Sequence, residues 1–559
     1  MLEQDVPLLW GKHPLPRSRG TEHFLIVGAS GSGKTTLINR LMKSVFKFND
    51  SFCALVYDPK QDVLPMLYAL RQETESNVEN GMASVRVLHP LDDRCCSWNL
   101  PADIDGPVSA RQLATILVPD QEDRGSGNSF FTSAVRDLLT GILLVFINCT
   151  KKDAKWTFRD VLLAMLYEPY LWFLMSIETT RDGEIFPVVK RLKESYLEGD
   201  DKRTISNIRA TINSKISIYE PIAATWHLAE KKGAKFTFSL KDWADGKYSD
   251  VLVLGNDEAS RAAIDAINQA IFKRATEMVL ARHELERDVQ DRGENQIWFF
   301  LDEVREAGQL DGLSRLLTKG RSKGACIVMG FQDISGMRDE YGEEVANEIC
   351  GQCNNVAILK LNSPTTAQWA SELFGKRLAT QRGKGTSFDS AGKLQESRNL
   401  GEEERPYLYT SDFLYLPKTN EQNGLSGLFR GLDTNPETDP LLLHFDWQKD
   451  IEPERVKIPK AQPKVLEESE KAEEISESWL VARRPIHPSK HYLKPWDQED
   501  WERLGLDKIT PNVIDWKSVP KTEEAPGKDK KNMPRGSKNR LSQFMDGWLP
   551  GNSDRNQEN

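Results

Sequence analysis

Residues 28 to 36 read GASGSGKTT, a stretch able to hold a chain of phosphates. Gly28, Ala29, Ser30, Gly31, Ser32, Gly33, Lys34 and Thr35 satisfy the pattern G-x4-G-K-[ST] at every position. In that pattern the glycines let successive backbone N–H groups converge on phosphate oxygens, the lysine reaches the β and γ phosphates, and the hydroxyl ligates magnesium. Thr36 adds one more candidate phosphate contact. A glycine-rich turn that binds nothing is the alternative, but the flanks HFLIVG and LINRLMKSVF supply the strand and helix that a phosphate loop must join. The expected cofactors are ATP and Mg2+.

Holding a nucleotide does not hydrolyse it; a carboxylate at the end of a neighbouring strand is also needed. IWFFLDEV provides two. Asp302 is placed toward the magnesium and its waters, and Glu303 to orient and deprotonate the attacking water. Acidic pairs also end ordinary solvated strands, so the upstream phosphate loop is what favours catalysis. The strand ACIVMGFQD ends on Gln332, an amide that either reports the γ-phosphate state by hydrogen bonding or merely caps a loop. Just before it, LLTKGRSKGA carries Arg321. That residue reads either as part of a solvated basic loop or as an arginine reaching a neighbouring subunit's γ-phosphate, which requires a ring or another oligomer.

These groups need a scaffold, and the chain alternates strands and helices to build one. HFLIVG, SFCALVYDPKQD and ASVRVLHPLD read as strands early in the chain, and DVLVLG, QIWFFLDEV, ACIVMGFQD and NVAILKL as strands later. Helices between them imply an α/β fold with a mostly parallel sheet. Between about 106 and 235 only helix-length patterns occur, such as FFTSAVRDLLTGILLVFI, so the nucleotide-binding domain is split into 1–105 and 236–459 by an all-helical insertion, 106–235. Residues 460–559 turn to Glu, Lys and Pro, a charged tail expected to be largely disordered, extended, or docked as short segments.

Composition narrows the class further. A chain of 559 residues, 39 % hydrophobic, folds as two or three units. Seven cysteines, an odd number, read as reduced thiols and a cytoplasmic setting rather than a disulfide framework. CGQC, Cys350 to Cys353, has the spacing of half a zinc site but no second half follows. The apolar runs LLTGILLVFI and VLLAMLYEPYLWFLM fall short of a membrane helix. A net charge of −10 argues against a uniformly basic surface and leaves room for a basic channel. The tryptophans, among them Trp98, Trp156, Trp172, Trp226, Trp243 and Trp369, read as core anchors. The basic run KDKKNMPRGSKNR reads as a solvated polyampholyte by default.

The ordered series GASGSGKTT, VYDPKQD, VLHPLDDRCCSWN, FFTSAVRDLL, FTFSLKDW, IWFFLDEV, LLTKGRSKGACIVMGFQDISGMRDEYGEE and NNVAILKLNSPTTAQWASELFG resembles the conjugative type IV coupling proteins, from about residue 8 to 447. The resemblance implies a RecA-like P-loop ATPase with an all-helical insertion, acting as a homo-hexamer. Such a machine brings relaxase-bound DNA, single- or double-stranded and without sequence preference, to a type IV secretion channel. Lys34 and Thr35 match the family's phosphate loop, Asp302 and Glu303 its acidic pair, Gln332 its glutamine and Arg321 its loop arginine. Asp58 and Lys60 match an Asp-Pro-Lys element expected close to the nucleotide. The helical insertion matches the region that meets relaxase or other substrate proteins. Many members begin with membrane helices, whereas 27 residues precede Gly28 here. If Met1 is the true start, either a partner holds the cytoplasmic protein at the cytoplasmic face of the inner membrane or the protein works without the channel. A soluble translocase or helicase of repair or defence, and a nucleotide-regulated receptor that does not pump DNA, are the alternative readings.

Overall fold

The computed structural model describes residues 7–46, 53–60, 62–74, 85–119, 128–150, 155–198, 201–233, 236–247, 250–388, 394–431, 441–454, 486 and 492–506. The chain divides into two compact units, residues 1–98 with 225–490 and residues 99–224 with 491–559. The helical unit thus begins at 99, because Leu100–Asp103 is already helical. It gives up the end of the helix Glu220–Lys232, whose Lys232 donates to the Asp93 carbonyl at 2.5 Å within the first unit.

The first unit is built on a sheet. Strands β1 (Leu8–Trp10) and β2 (His13–Leu15) form a small hairpin. The main sheet uses β3 (Phe24–Val27), β4 (Cys53–Asp58), β5 (Val85–Val87), β8 (Val251–Gly255), β9 (Ile297–Leu301), β10 (Ala325–Phe331), β11 (Asn355–Ile358), β14 (Leu425–Arg430) and β15 (Leu441–Phe445). Among the described residues the order is β15-β14-β11-β3-β10-β9-β4-β8-β5. From β11 to β5 every pairing is parallel, and β14 and β15 close one edge antiparallel. The short β6 (Ser97–Trp98) and β7 (Thr237–Phe238) pair beside it. FLIV, VLVLG, IWFFL and ACIVMGF are buried along their whole length. That burial on both faces is what continuous apolar runs predict for parallel strands. Trp10, Phe24, Trp298 and Phe300 pack in contact through the centre, with Trp10 meeting Phe24 edge-on at 5.0 Å.

β10 separates β3 from β9, so the strand bearing the acidic pair is the next but one from the phosphate loop, not its direct neighbour. All the parallel strands still point the same way, and their carboxyl ends share one edge of the sheet, where ligands of such folds bind. An element absent from the sequence reading is the long hairpin of β12 (Lys376–Phe388) and β13 (Leu394–Pro406), registered from Lys376 opposite Pro406 to Phe388 opposite Leu394. Its sequence KRLATQRGKGTSF has no apolar alternation, so it carried no strand signal.

The second unit is helical. Its helices include Pro107–Leu117, Asn128–Cys149, Phe158–Leu166, Glu168–Leu174, Pro187–Tyr196 and Lys202–Ile216. The apolar run LLTGILLVFI is part of a 22-residue helix, and Ser129–Cys149 is long and apolar enough to cross a membrane by length and composition. This corrects the expectation from the run alone. Leu138, Leu139, Ile142, Leu143 and Phe146 of that helix are buried in the unit. The second run breaks at Tyr167 into two helices, with Pro169 in the first turn of the latter.

From the charged tail, residues 492–506 fold as part of this unit and contain the helix Gln498–Leu504. Of the three expectations for the tail, docking as a short segment describes this stretch. Residues 460–485 and 507–559, including KDKKNMPRGSKNR, lie outside the described residues.

Candidate nucleotide site

The phosphate loop joins the end of β3 to the helix Lys34–Phe46. Gly31 and Gly33 have φ of +72° and +98°, a region that side chains disfavour and glycine tolerates. At Gly28 a Cβ would lie 2.4 Å from Ser32 Oγ, so a larger residue there would push the loop open. The loop is tied to its neighbours by the Ala29 N–H, which donates to the Lys360 carbonyl at 2.8 Å. Thr419 Oγ1 also donates to the Ser32 carbonyl at 2.6 Å. Lys34 is nearly buried, and its Nζ donates to the Gly28 carbonyl at 2.7 Å and lies 3.9 Å from Glu303 Oε2. Burial lowers its pKa from the usual lysine value; Glu303 and Asp302 oppose that and Lys60 adds to it.

The acidic pair reaches this loop from the end of β9. Thr35 Oγ1 donates to Asp302 Oδ2 at 2.8 Å, while Asp302 Oδ1 is buried with no hydrogen-bond partner. A hydroxyl and a half-satisfied carboxylate side by side suit a hard cation that takes oxygen ligands. Glu303 is buried, sits in the left-handed region at φ 64°, and accepts from Gln332 Nε2 at 2.9 Å. Gln332 follows β10, the strand between the two, so the amide is delivered to the carboxylate by the sheet order.

The sequence candidates therefore separate into groups. Lys34, Thr35, Asp302, Glu303 and Gln332 converge within hydrogen-bonding or ion-pair reach. Asp58 accepts from the backbone N–H groups of Asp62 and Val63 at 3.2 and 3.0 Å, which seats the start of the helix Val63–Thr74. In the same loop Lys60 Nζ reaches Thr35 Oγ1 at 3.0 Å and Asp302 Oδ2 at 3.1 Å. Thr35, Asp58, Lys60 and Asp302 all line one cleft. Arg321 stands apart: it is exposed and precedes β10, whereas Gln332 follows it. Seven residues of strand put it about 20 Å from the catalytic edge of its own chain.

Three residues at this edge escaped the sequence reading. Thr419 braces the loop, the Lys418 side chain passes Gly31, its Cε 3.6 Å from where a Cβ would be, and exposed Arg305 lies against Gly336. LYLPKTNEQNG has no phosphate-loop pattern; pairing of β14 to β11 and the Lys360 ammonium, which donates to the Leu414 and Leu416 carbonyls, bring it here. Cys350 and Cys353 are buried, and burial lifts the Cys350 thiol to about 12, away from the thiolate that metal or redox chemistry uses.

The family model for the type IV secretion-system coupling protein DNA-binding domain matches residues 7–425. The coupling protein TraD of Escherichia coli (strain K12) is 23 % identical over 467 residues, covering 81 % of this chain and 58 % of TraD. VirD4 of Bartonella henselae, a type IV secretion system-coupling protein, is 19 % identical over 428 residues, 72 % of this chain and 60 % of VirD4. The chain thus spans somewhat under two thirds of the length of these relatives. Among solved structures, the bacterial conjugative coupling protein TrwBdeltaN70 in complex with sulphate superposes with a TM-score of 0.55 at 17 % identity, over 80 % of this chain and 90 % of that one. The plasmid coupling protein TrwB in complex with ADP and Mg2+ gives a TM-score of 0.51 at 17 % identity, over 80 % and 87 %. The RecA-like fold is shared with these structures.

Proposed function

The chain belongs to the type IV secretion-system coupling protein DNA-binding domain family, and on that footing we propose that it is an ATP-driven motor that delivers relaxase-bound DNA to a type IV secretion channel. The observation that carries this reading is the convergence of Thr35, Asp302, Glu303 and Gln332 at one edge of the sheet.

ATP lies with its phosphates against the N–H groups of residues 29 to 35, and Lys34 exchanges the Gly28 carbonyl for phosphate oxygens. Thr35 and Asp302 would hold Mg2+, which when bound would neutralise charge on the phosphate oxygens. Glu303, held by the Gln332 amide, orients the attacking water and takes its proton. Because its carboxylate and that amide are already paired, a change at the γ-phosphate is passed from Glu303 to the end of β10. The place of Arg321 on the far edge of its own sheet supports its action from a neighbouring subunit in a ring, a homo-hexamer by family resemblance. Basic and polar groups facing the ring channel grip the DNA backbone without reading bases. The helical unit receives the relaxase, and a channel partner holds the protein at the cytoplasmic face of the inner membrane.

Hydrolysis of ATP by the purified chain tests the site. Glu303→Gln lowers kcat by about 100-fold or more while Mg2+ and ATP still bind; a variant that hydrolyses at the wild-type rate removes Glu303 from the mechanism.

A further inference from the structure

Lys60 stands on the loop between β4 and the helix Val63–Thr74. Its ammonium donates to Thr35 Oγ1 at 3.0 Å and to Asp302 Oδ2 at 3.1 Å. Those two groups, themselves 2.8 Å apart, are the oxygens proposed to hold the divalent cation, and a single ammonium covers both. The base of the loop is fixed, since Asp58 binds the N–H groups of Asp62 and Val63. The Lys60 side chain itself is 47 % exposed, so its long stem can swing without disturbing the core. Asp302 Oδ1 meanwhile remains buried and unpartnered. A monovalent ammonium leaves that carboxylate half satisfied, whereas a divalent ion satisfies it more fully.

We propose that Lys60 is a tethered competitor for the divalent-cation position, one that excludes free metal and gives way when metal arrives with nucleotide. This rests on the nucleotide-site reading above. A metal ion that takes Thr35 Oγ1 and Asp302 Oδ2 meets Lys60 on those same two oxygens, and Lys34 lies nearby as well, 3.9 Å from Glu303. A metal ion alone must therefore displace Lys60 against the repulsion of two ammonium groups. Metal-bound ATP brings several negative charges of its own, which offset that repulsion and offer Lys60 a phosphate oxygen in exchange for Asp302. Metal and nucleotide then enter as one complex, and the site does not load metal in advance.

The test is a titration of the full chain with Mn2+, the free ion being counted by electron paramagnetic resonance. Without nucleotide, Lys60→Met binds Mn2+ about tenfold tighter than the wild type, and Lys60→Met combined with Asp302→Asn loses that gain. With ADP present, wild type and Lys60→Met bind Mn2+ about equally. Equal nucleotide-free affinities, with Asp302→Asn still weakening Mn2+ binding in ADP, overturn the role of Lys60 and leave the site reading intact. If Asp302→Asn does not weaken Mn2+ binding in ADP, the site reading falls and the competitor with it.

Discussion

Glu303 is held at φ 64°, where a non-glycine residue is strained by about 1 kcal/mol or more. Its contacts with Gln332 and Lys34 keep the carboxylate over the phosphate loop despite that strain. Gln332→Ala should therefore reduce kcat by about tenfold with little change in nucleotide affinity, because the amide positions Glu303 and does not touch the loop in this structure. Steady-state ATPase rates alongside fluorescent-nucleotide binding check it; an unchanged kcat would detach the amide from catalysis. Lys34, Thr35, Asp302 and Glu303 were legible in the sequence because each is marked by its local neighbours, a glycine spacing or an apolar run. Lys418 and Thr419 were not. Their place beside the loop comes from an antiparallel strand entering at the sheet edge, a long-range pairing that leaves no local pattern.

At the scale of elements, the parallel strands announced themselves as short apolar runs, while the β12–β13 hairpin and the docked tail segment did not. The tail segment is polar in composition, and its order comes from a few residues that meet the helical unit. Trp496 stacks on Tyr170 at 4.5 Å and donates from Nε1 to Asp160 Oδ1 at 2.8 Å. Arg159 Nη1 donates to Asp500 Oδ2 at 2.9 Å, and Arg503 pairs with fully buried Asp160 at 2.9 Å. Trp501 is buried beside Phe173. Trp501→Ala should cost the helical unit about 3 to 5 kcal/mol, read as an earlier thermal transition by circular dichroism; an unshifted transition would show the segment to be dispensable.

The same contacts make the clasp sensitive to acid. Burial raises the Asp500 carboxyl, but Arg159 and Arg503 outweigh it and leave its pKa below the ordinary carboxylate value. A carboxylate depressed in the folded state adds stability above its unfolded pKa, near 4, and loses that contribution as pH falls through the lower folded value. The segment should therefore stay docked from neutral pH to about pH 4 and loosen below it, a change visible in the fluorescence of Trp496 and Trp501. In Asp500→Asn the acid step attributable to this group should vanish; its persistence would assign the step to other carboxylates.

For the whole molecule, Arg321 decides whether sites are shared. Its position at the opposite sheet edge from Gln332 leaves action between subunits as its one catalytic route. Glu303→Gln and Arg321→Ala chains, each inactive alone, should regain some ATPase activity when mixed, because some interfaces then combine an intact Glu303 with an intact Arg321. No activity in the mixture would count against shared sites. The split of the chain into a sheet unit and a helical unit was visible as a loss of strand signals, but its borders at 98 and 224 depend on which unit each helix end packs against, and composition does not record that.

Coupling of nucleotide to DNA is the central claim, and ATP hydrolysis by the purified chain with and without single- or double-stranded DNA tests it most directly. DNA should raise the wild-type rate, the gain should fade with rising salt as phosphate contacts are screened, and Lys34→Ala should be inactive in every condition. A rate that depends on Lys34 yet is indifferent to both forms of DNA would contradict the motor and leave a nucleotide-regulated receptor in its place.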